Sequence, residues 1–298
     1  LNQVNNYRSE LRDYFDSLTL KSETTITNWF EEFPDFALKA LQEMNTAPLK
    51  DPQIVSQIIA SHDWPEQHFK SATFADLSFT LFRNEHFFLD LYIWNHQDTN
   101  IHDHHFSGAF QVIQGESFHI SYNFIPEEQL TPWLEKGRLK VVEKTNLTAG
   151  ETRKIDFNDK FIHQNLHSTN PCLTLCLRTK DHPHILLNSY CNGGLKIGLY
   201  RSHINDIKAL EAISYLTQFK NSSDTEITEI ITMVSDHALY SIMNGQQHIL
   251  TRNDPKIRTV IHNELFRRNP KQYMWFKEVV DKQQKLAIQL QSMFKIQA

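Results

Sequence analysis

Apolar positions change their spacing twice along the chain. Up to about residue 70, "YRSELRDYFDSL" and "DPQIVSQIIASH" repeat apolar residues at intervals of three and four, the period of a helix with one buried face. The Pro-bearing "NTAPLKDP" separates them. From about 73 to 200 the texture becomes short apolar or alternating runs, "FTLFRN", "FFLDLYIW", "AFQVIQG", "FHISYNF", "LKVVEKTNL", "TRKIDF", "CLTLCLRT" and "LKIGLY", punctuated by Gly, Asn and Asp. Runs of this kind at short spacing predict an antiparallel sandwich or barrel. After about 203 the helical period returns in "DIKALEAISYLTQF" and "SSDTEITEIITMVSDHALYSIM", with Ser223 and Glu226 spaced as a capping box. In "WFKEVVDKQQKLAIQLQSMF", Phe276, Val279, Val280, Ala287, Leu290 and Phe294 fall on one side, the stripe of a packed helix. The fold class predicted is mainly β with flanking helices. An N-terminal helical segment spans 1–72 and packs on a β-barrel at 73–202, which precedes a C-terminal helical extension at 203–298.

Composition narrows the function. The 298 residues are 40% hydrophobic and 11% aromatic, enough for a sizeable core. Thirty Lys and Arg against 35 Asp and Glu give a formal charge of −5 with no basic block, which excludes nucleic acid as a partner on electrostatic grounds. Neither an apolar run of about 18 residues nor a basic-then-apolar start is present, so no membrane partner is expected. Cys172, Cys176 and Cys191 are too few and too clustered for a disulfide framework, and a cytoplasmic location follows. Small molecules remain as the expected partners, and the C-terminal helices could serve as a homodimer interface, a lid or an outer wall.

The chemistry concentrates in "NIHDHHFSGAFQVIQG", 100–115. Strand side chains alternate faces, so His102 and His104 point one way while Asp103 and His105 point the other. Two imidazoles on one face can share a metal. His182 and His184 form a second His-x-His, but Pro183 between them breaks a ladder, and they are read as a loop. A third ligand must come from another strand, and "DKFIHQNLHSTNPCLTLCLRT" offers His163 and His167 ahead of a strongly β run.

"IHDHHFSGAFQVIQG" resembles the first cupin motif, and "FIHQNLHSTNPCLTLCLRT" a degenerate second one. Within the cupins, "FRN" at Phe82–Asn84, "FFLDLYIW" leading into "IHDH", and "PCLTLCLRT" are similar to the cysteine dioxygenase (thiol dioxygenase) family, over about a third of the chain. The resemblance implies a cupin double-stranded β-helix with Fe(II) on three histidines. His102 and His104 match the first two ligands. His163 matches the third if His167 takes the motif's asparagine place; if Asn170 is that asparagine, His167 is the ligand. Arg83 falls on the arginine that holds a substrate carboxylate, with a salt bridge to Glu85 or Asp90 as its alternative role. Arg178 is a second candidate clamp, and His119 and Tyr122, on the next strand, are candidate pocket residues with packing as their alternative role. The glutamate ligand of many cupins is missing, as Gly108 and Ala109 stand there; thiol dioxygenases lack it too. Ala109 also replaces the cysteine that some members cross-link to tyrosine, while Cys176 and Arg178 occupy two places of the family's Ser-His-Tyr relay.

Imidazole ligands suit Fe, Zn, Cu and Ni alike, so another divalent metal fits the histidines equally; Fe(II) and dioxygen as co-substrate come from the resemblance. The expected activity is a mononuclear non-haem iron dioxygenase acting on a small, carboxylate-bearing substrate, with a thiol as the first choice. A cupin metalloenzyme acting on a non-thiol substrate and a non-catalytic ligand-binding or regulatory cupin are the alternatives.

Overall fold

The computed structural model describes residues 2–67, 75–95, 99–198, 204–217, 224–243 and 255–281. Two of the expected segment boundaries, at 72/73 and 202/203, lie outside these residues, as do Ser223 of the expected capping box and Ala287, Leu290 and Phe294 of the C-terminal stripe.

The chain divides into two compact units, residues 1–123 with 140–187, and 124–139 with 188–298. The first begins with helices α1 (Asn2–Thr25), α2 (Trp29–Glu43) and α3 (Pro52–Ala60). In α1, Val4, Tyr7, Leu11, Phe15 and Leu18 are buried at the three-and-four spacing read from the sequence. The start of α3 is fixed by Asp51, whose side chain accepts from the Gln53 amide at 2.8 Å, and by Pro52 at the first helical position, where no amide is needed.

Eleven strands follow: β1 (Leu77–Arg83), β2 (Phe87–Trp94), β3 (Ile101–His104), β4 (Gly108–Gln114), β5 (Ser117–Thr131), β6 (Leu134–Leu147), β7 (Thr152–Ile155), β8 (Asn158–His167), β9 (Cys172–Thr179), β10 (Asn188–Cys191) and β11 (Leu195–Gly198). One five-stranded sheet runs β1-β2-β9-β4-β7, antiparallel throughout. The other strands are hydrogen-bonded in the order β10-β11-β6-β5-β8-β3 and close into a barrel. A β-barrel with helices before and after it is the class expected from the sequence.

Strand β9 explains how this sheet is covered. Leu173, Leu175 and Leu177 join Phe15, Phe33 and Leu41 of the N-terminal helices in one core, together with Leu89 and Leu91 of β2. Cys172 and Cys176, of opposite parity, pack instead with Trp94, Phe110, Val112 and Ile155. Both faces are dry, which is why "CLTLCLRT" reads as a continuous apolar run.

In the second unit, β10 and β11 pair with each other, and β11 pairs with the Leu134–Lys136 stretch of β6. Leu134, Cys191, Leu195 and Ile197 share a core with helices α4 (Ile204–Thr217), α5 (Asp224–Thr232), α6 (Asp236–Met243) and α7 (Pro255–Arg268). Residues 270–281 are helical, and Phe276, Val279 and Val280 of the expected stripe are buried in this core. No helix of the described residues is long and apolar enough to cross a membrane.

Candidate metal centre

Strand β3 is four residues long and tied at both ends. Before it, the Thr99 amide donates to the Asn165 carbonyl at 3.0 Å, and the Asn165 amide returns a bond to Thr99 Oγ1 at 2.7 Å. After it, the Ser107 amide donates to Thr179 Oγ1 at 3.1 Å and Ser107 Oγ to the Trp29 carbonyl at 3.1 Å. The strand pairs with β8 so that His102 stands opposite His163, with a register shift between His102 and His104. His102, His104 and His163 are thereby brought together, all buried, with their ligand nitrogens within 4.8 Å of one another. Ring centroids are 4.6 to 4.9 Å apart. Two nitrogens sharing an ion at bonds of about 2 Å cannot be more than about 4 Å apart, so small ring rotations suffice to complete a shared coordination sphere.

Hydrogen bonding shows which nitrogens are offered. His102 Nδ1 lies 2.7 Å from the Asn100 carbonyl oxygen, which can only accept, so that nitrogen carries the proton and Nε2 the lone pair. His104 bonds the Phe161 backbone, while its Nδ1 and the Nε2 of His163 are buried with no hydrogen bond from the described residues. Buried polar nitrogens are costly to leave unsatisfied, and a metal satisfies them directly. Burial also keeps the rings uncharged. It lowers the His102 pKa to about 4, against a smaller upward pull from the Asn100 bond. Burial, then the neighbouring imidazoles, hold His104 and His163 well below the ordinary histidine value. Neutral imidazole is the form that ligates, and the donor set fits a divalent transition ion.

A fourth, carboxylate ligand has no room at Gly108. A Cβ there would stand 2.1 Å from the Leu177 carbonyl oxygen and 2.8 Å from Arg178 Cα, both backbone atoms that cannot yield. The set is three imidazoles and no charge.

The other sequence candidates stand as follows. His167 is outside the group: its Nδ1 is 2.7 Å from Ser117 Oγ and its ring stacks on Trp94 at 4.5 Å. His105 points away from the triad, as strand alternation predicts, to within 3.1 Å of Asp181. His182 and His184 lie in an irregular stretch. Tyr122 pairs with Ile162 while Ser121 pairs with His163, so Tyr122 takes the face of β5 opposite the triad; its hydroxyl donates to Gln164 Oε1 at 3.4 Å. Arg83 is half-exposed, 3.8 Å from Glu66 and 5.4 Å from the Phe88 ring, and it lines a pocket of about 290 Å³ with Arg8, Arg12 and Trp64. Its ion pair among the described residues is with Glu66, where Glu85 or Asp90 was expected. The Arg178 guanidinium donates to Asp90 at 2.9 Å and to Asp181 at 3.0 Å, between the rings of Phe88 and Phe106. Phe106 also packs 4.9 Å from the His104 ring, which places one aromatic side chain between the triad and this ion-paired group.

His119, which the sequence offered with Tyr122 as a pocket-facing or packing residue, is on the triad's side of β5. The structure sets its Nε2 3.2 Å from His163 Nδ1, both rings buried.

A five-stranded antiparallel sheet and a closed barrel of strands, with three convergent histidines carried on β3 and β8, have the architecture of a cupin-type fold. No protein-family model and no curated protein matches the chain. Among solved structures, one of DMSP lyases matches at 14% identity over 63% of this chain and 97% of that one, with a TM-score of 0.34. A cupin superfamily protein from Desulfitobacterium hafniense matches at 12% identity over 40% of this chain and 95% of its own, TM-score 0.24. An RmlC-like cupin with a double-stranded β-helix fold from Methanocaldococcus jannaschii matches at 16% over 40% and 94%, TM-score 0.24.

Proposed function

We propose that the protein is a mononuclear metalloenzyme in which His102, His104 and His163 hold one divalent ion, and that with Fe(II) it is a dioxygenase of a small substrate. One observation carries the reading: three buried, neutral imidazoles converge, His104 Nδ1 and His163 Nε2 having no hydrogen bond from the described residues, with no carboxylate in the group. An ion held by uncharged ligands keeps its full +2 charge and supplies Lewis acidity or, as Fe(II), redox chemistry with dioxygen. Iron and dioxygen come from the resemblance to thiol dioxygenases, since the donor atoms alone suit several metals.

The chain's own residues prepare the site. The Asn100 carbonyl fixes the tautomer of His102. Phe106 and Phe161 pack against His104, and Phe110 and Phe161 against His163, displacing water from those sides. Arg178 is proposed as the carboxylate-binding residue in preference to Arg83, which lines a different pocket. It stands behind Phe106, and its Nη1 bond to the half-exposed Asp181 is the one a substrate carboxylate could replace, leaving the Nε bond to buried Asp90 intact.

A non-thiol substrate is the second reading. It is favoured by the residues at the family's relay positions, where the Cys176 thiol is pushed up to about 12 by burial and Arg178 is ion-paired. Dioxygen consumption by anaerobically Fe(II)-loaded protein separates the two. Uptake with small thiol acids and not with their hydroxy analogues, lost in His163→Ala, is the expected result. Uptake with the hydroxy acids alone selects the second reading, and no uptake with either class while iron stays bound rejects the dioxygenase.

A further inference from the structure

We propose that His119 is a positioning residue for the metal centre: it accepts a hydrogen bond from His163 Nδ1 and so presents His163 Nε2 as a lone pair toward the ion. The proposal rests on the reading of His163 as a ligand and adds to it the group that sets its tautomer and ring angle.

The geometry follows from strand register. β5 pairs with β8 so that His119 stands opposite Asn165 and Ser121 opposite His163. Directly paired residues share a face, and so do residues two apart on one strand, so His119 and His163 are diagonal neighbours on one side of the sheet. Their rings meet at a centroid distance of 5.2 Å, with Nε2 of one 3.2 Å from Nδ1 of the other. Phe161 stacks on His119 at 5.8 Å and packs 4.6 Å from His163, and Phe110 touches both rings at 6.0 and 5.9 Å. Water is displaced from the bond on these sides, and a hydrogen bond in such surroundings holds its geometry more firmly than one in solvent.

Two neutral imidazoles facing each other can bond only if one donates. Either assignment leaves one buried N–H without a partner among the described residues, on His163 Nε2 or on His119 Nδ1, and the second alone frees the His163 nitrogen that converges with His102 and His104, the one an ion would take. With His163 donating, that nitrogen bears the lone pair, and the second ring nitrogen of the ligand is engaged, as in metal sites whose histidines are oriented by an outer partner. His119 has no ligand role of its own in this arrangement, since among the described residues the convergent group is His102, His104 and His163.

The test is Co(II) binding to the full chain, followed by its visible absorption and by chelator competition, in wild type, His119→Phe and His119→Gln. Phenylalanine keeps the ring volume against Phe161 and removes the acceptor, whereas glutamine restores an acceptor oxygen. The expected result is a Co(II) dissociation constant raised about 10- to 100-fold in His119→Phe, with an altered absorption band, and largely recovered in His119→Gln. A folded His119→Phe protein within about twofold of wild type overturns the proposal, because groups that hydrogen-bond to ligating histidines carry larger effects. Equal weakening in both variants also overturns it, since packing and not acceptance would then be the cause. Should His119→Phe fail to fold, His119→Gln compared with His119→Leu provides the same contrast. A wild-type chain that binds no Co(II) rejects the metal reading itself, an outcome distinct from a variant that binds as well as wild type.

Discussion

Acidifying the metal-free protein from pH 6.5 toward 4 is expected to remove several kcal/mol of folding stability, enough to unfold a domain of ordinary stability before its carboxylates have titrated. His102, His119 and His167 each have a folded pKa lowered to about 4, in every case chiefly by burial. His104 and His163 are held well below the ordinary histidine value, first by burial and then by the neighbouring imidazoles. In the unfolded chain all five return to the ordinary value. Between the two pKa values the unfolded state therefore binds more protons than the folded state. Stability rises with pH through this window and is lost as pH falls, by up to about 1.4 kcal/mol per pH unit per histidine. Urea unfolding at pH 7.5, 6.5, 5.5 and 4.5, with and without a stoichiometric divalent ion, measures the effect. A bound ion should raise stability across this window without flattening the profile, because it stabilises the folded state alone and holds the same imidazoles neutral. A flat profile in the metal-free protein would show that these rings are solvated.

The second large effect is at Asp90. Its carboxylate is buried and accepts from Thr80 Oγ1 at 2.7 Å and Arg178 Nε at 2.9 Å, with the Tyr92 hydroxyl at 3.4 Å. Asp90→Ala would leave the Arg178 guanidinium between Phe88 and Phe106 with Asp181 as its remaining carboxylate. Breaking a buried ion pair from one side costs about 3 to 5 kcal/mol, and the surviving Asp181 contact puts this case near the lower figure. Thermal unfolding should show a fall of several degrees in Tm. The double variant Asp90→Leu with Arg178→Met should recover most of it, because a well-packed apolar pair removes the orphaned charge. A single variant as stable as wild type would mean that the pair is not buried as described.

Much of this was legible in the sequence, for identifiable reasons. A period of two placed His102 and His104 on one face and His105 on the other, and the helical period of "YRSELRDYFDSL" marked the stripe that packs on the outer sheet. The choice between His163 and His167 was not legible, because the two are four residues apart on one strand and share its face. Only the pairing of β8 decides: it sets His163 opposite His102 and His167 opposite Ser117, about 13 Å further along. The same limitation hid Asp90 as the partner of Arg178, which depends on β2 lying beside β9 in a register that sets Asp90 opposite Cys176. His119 and Tyr122 were both legible as pocket-facing or packing residues, but the contact of His119 with His163 depends on the pairing of β5 with β8, which no period in the sequence gives. Arg83 carried a family role in the sequence, yet its ion-pair partner, Glu66, lies 17 residues earlier in a connection with no strand pattern to place it.

The account stands most directly on metal content, measured by elemental analysis of protein reconstituted anaerobically with Fe(II) and desalted. It predicts close to one ion per chain in wild type and in His167→Ala, and loss of the ion in His102→Ala and His163→Ala. An ion retained in His163→Ala but lost in His167→Ala would move the centre to the other histidine, and no bound ion in wild type would contradict the account altogether.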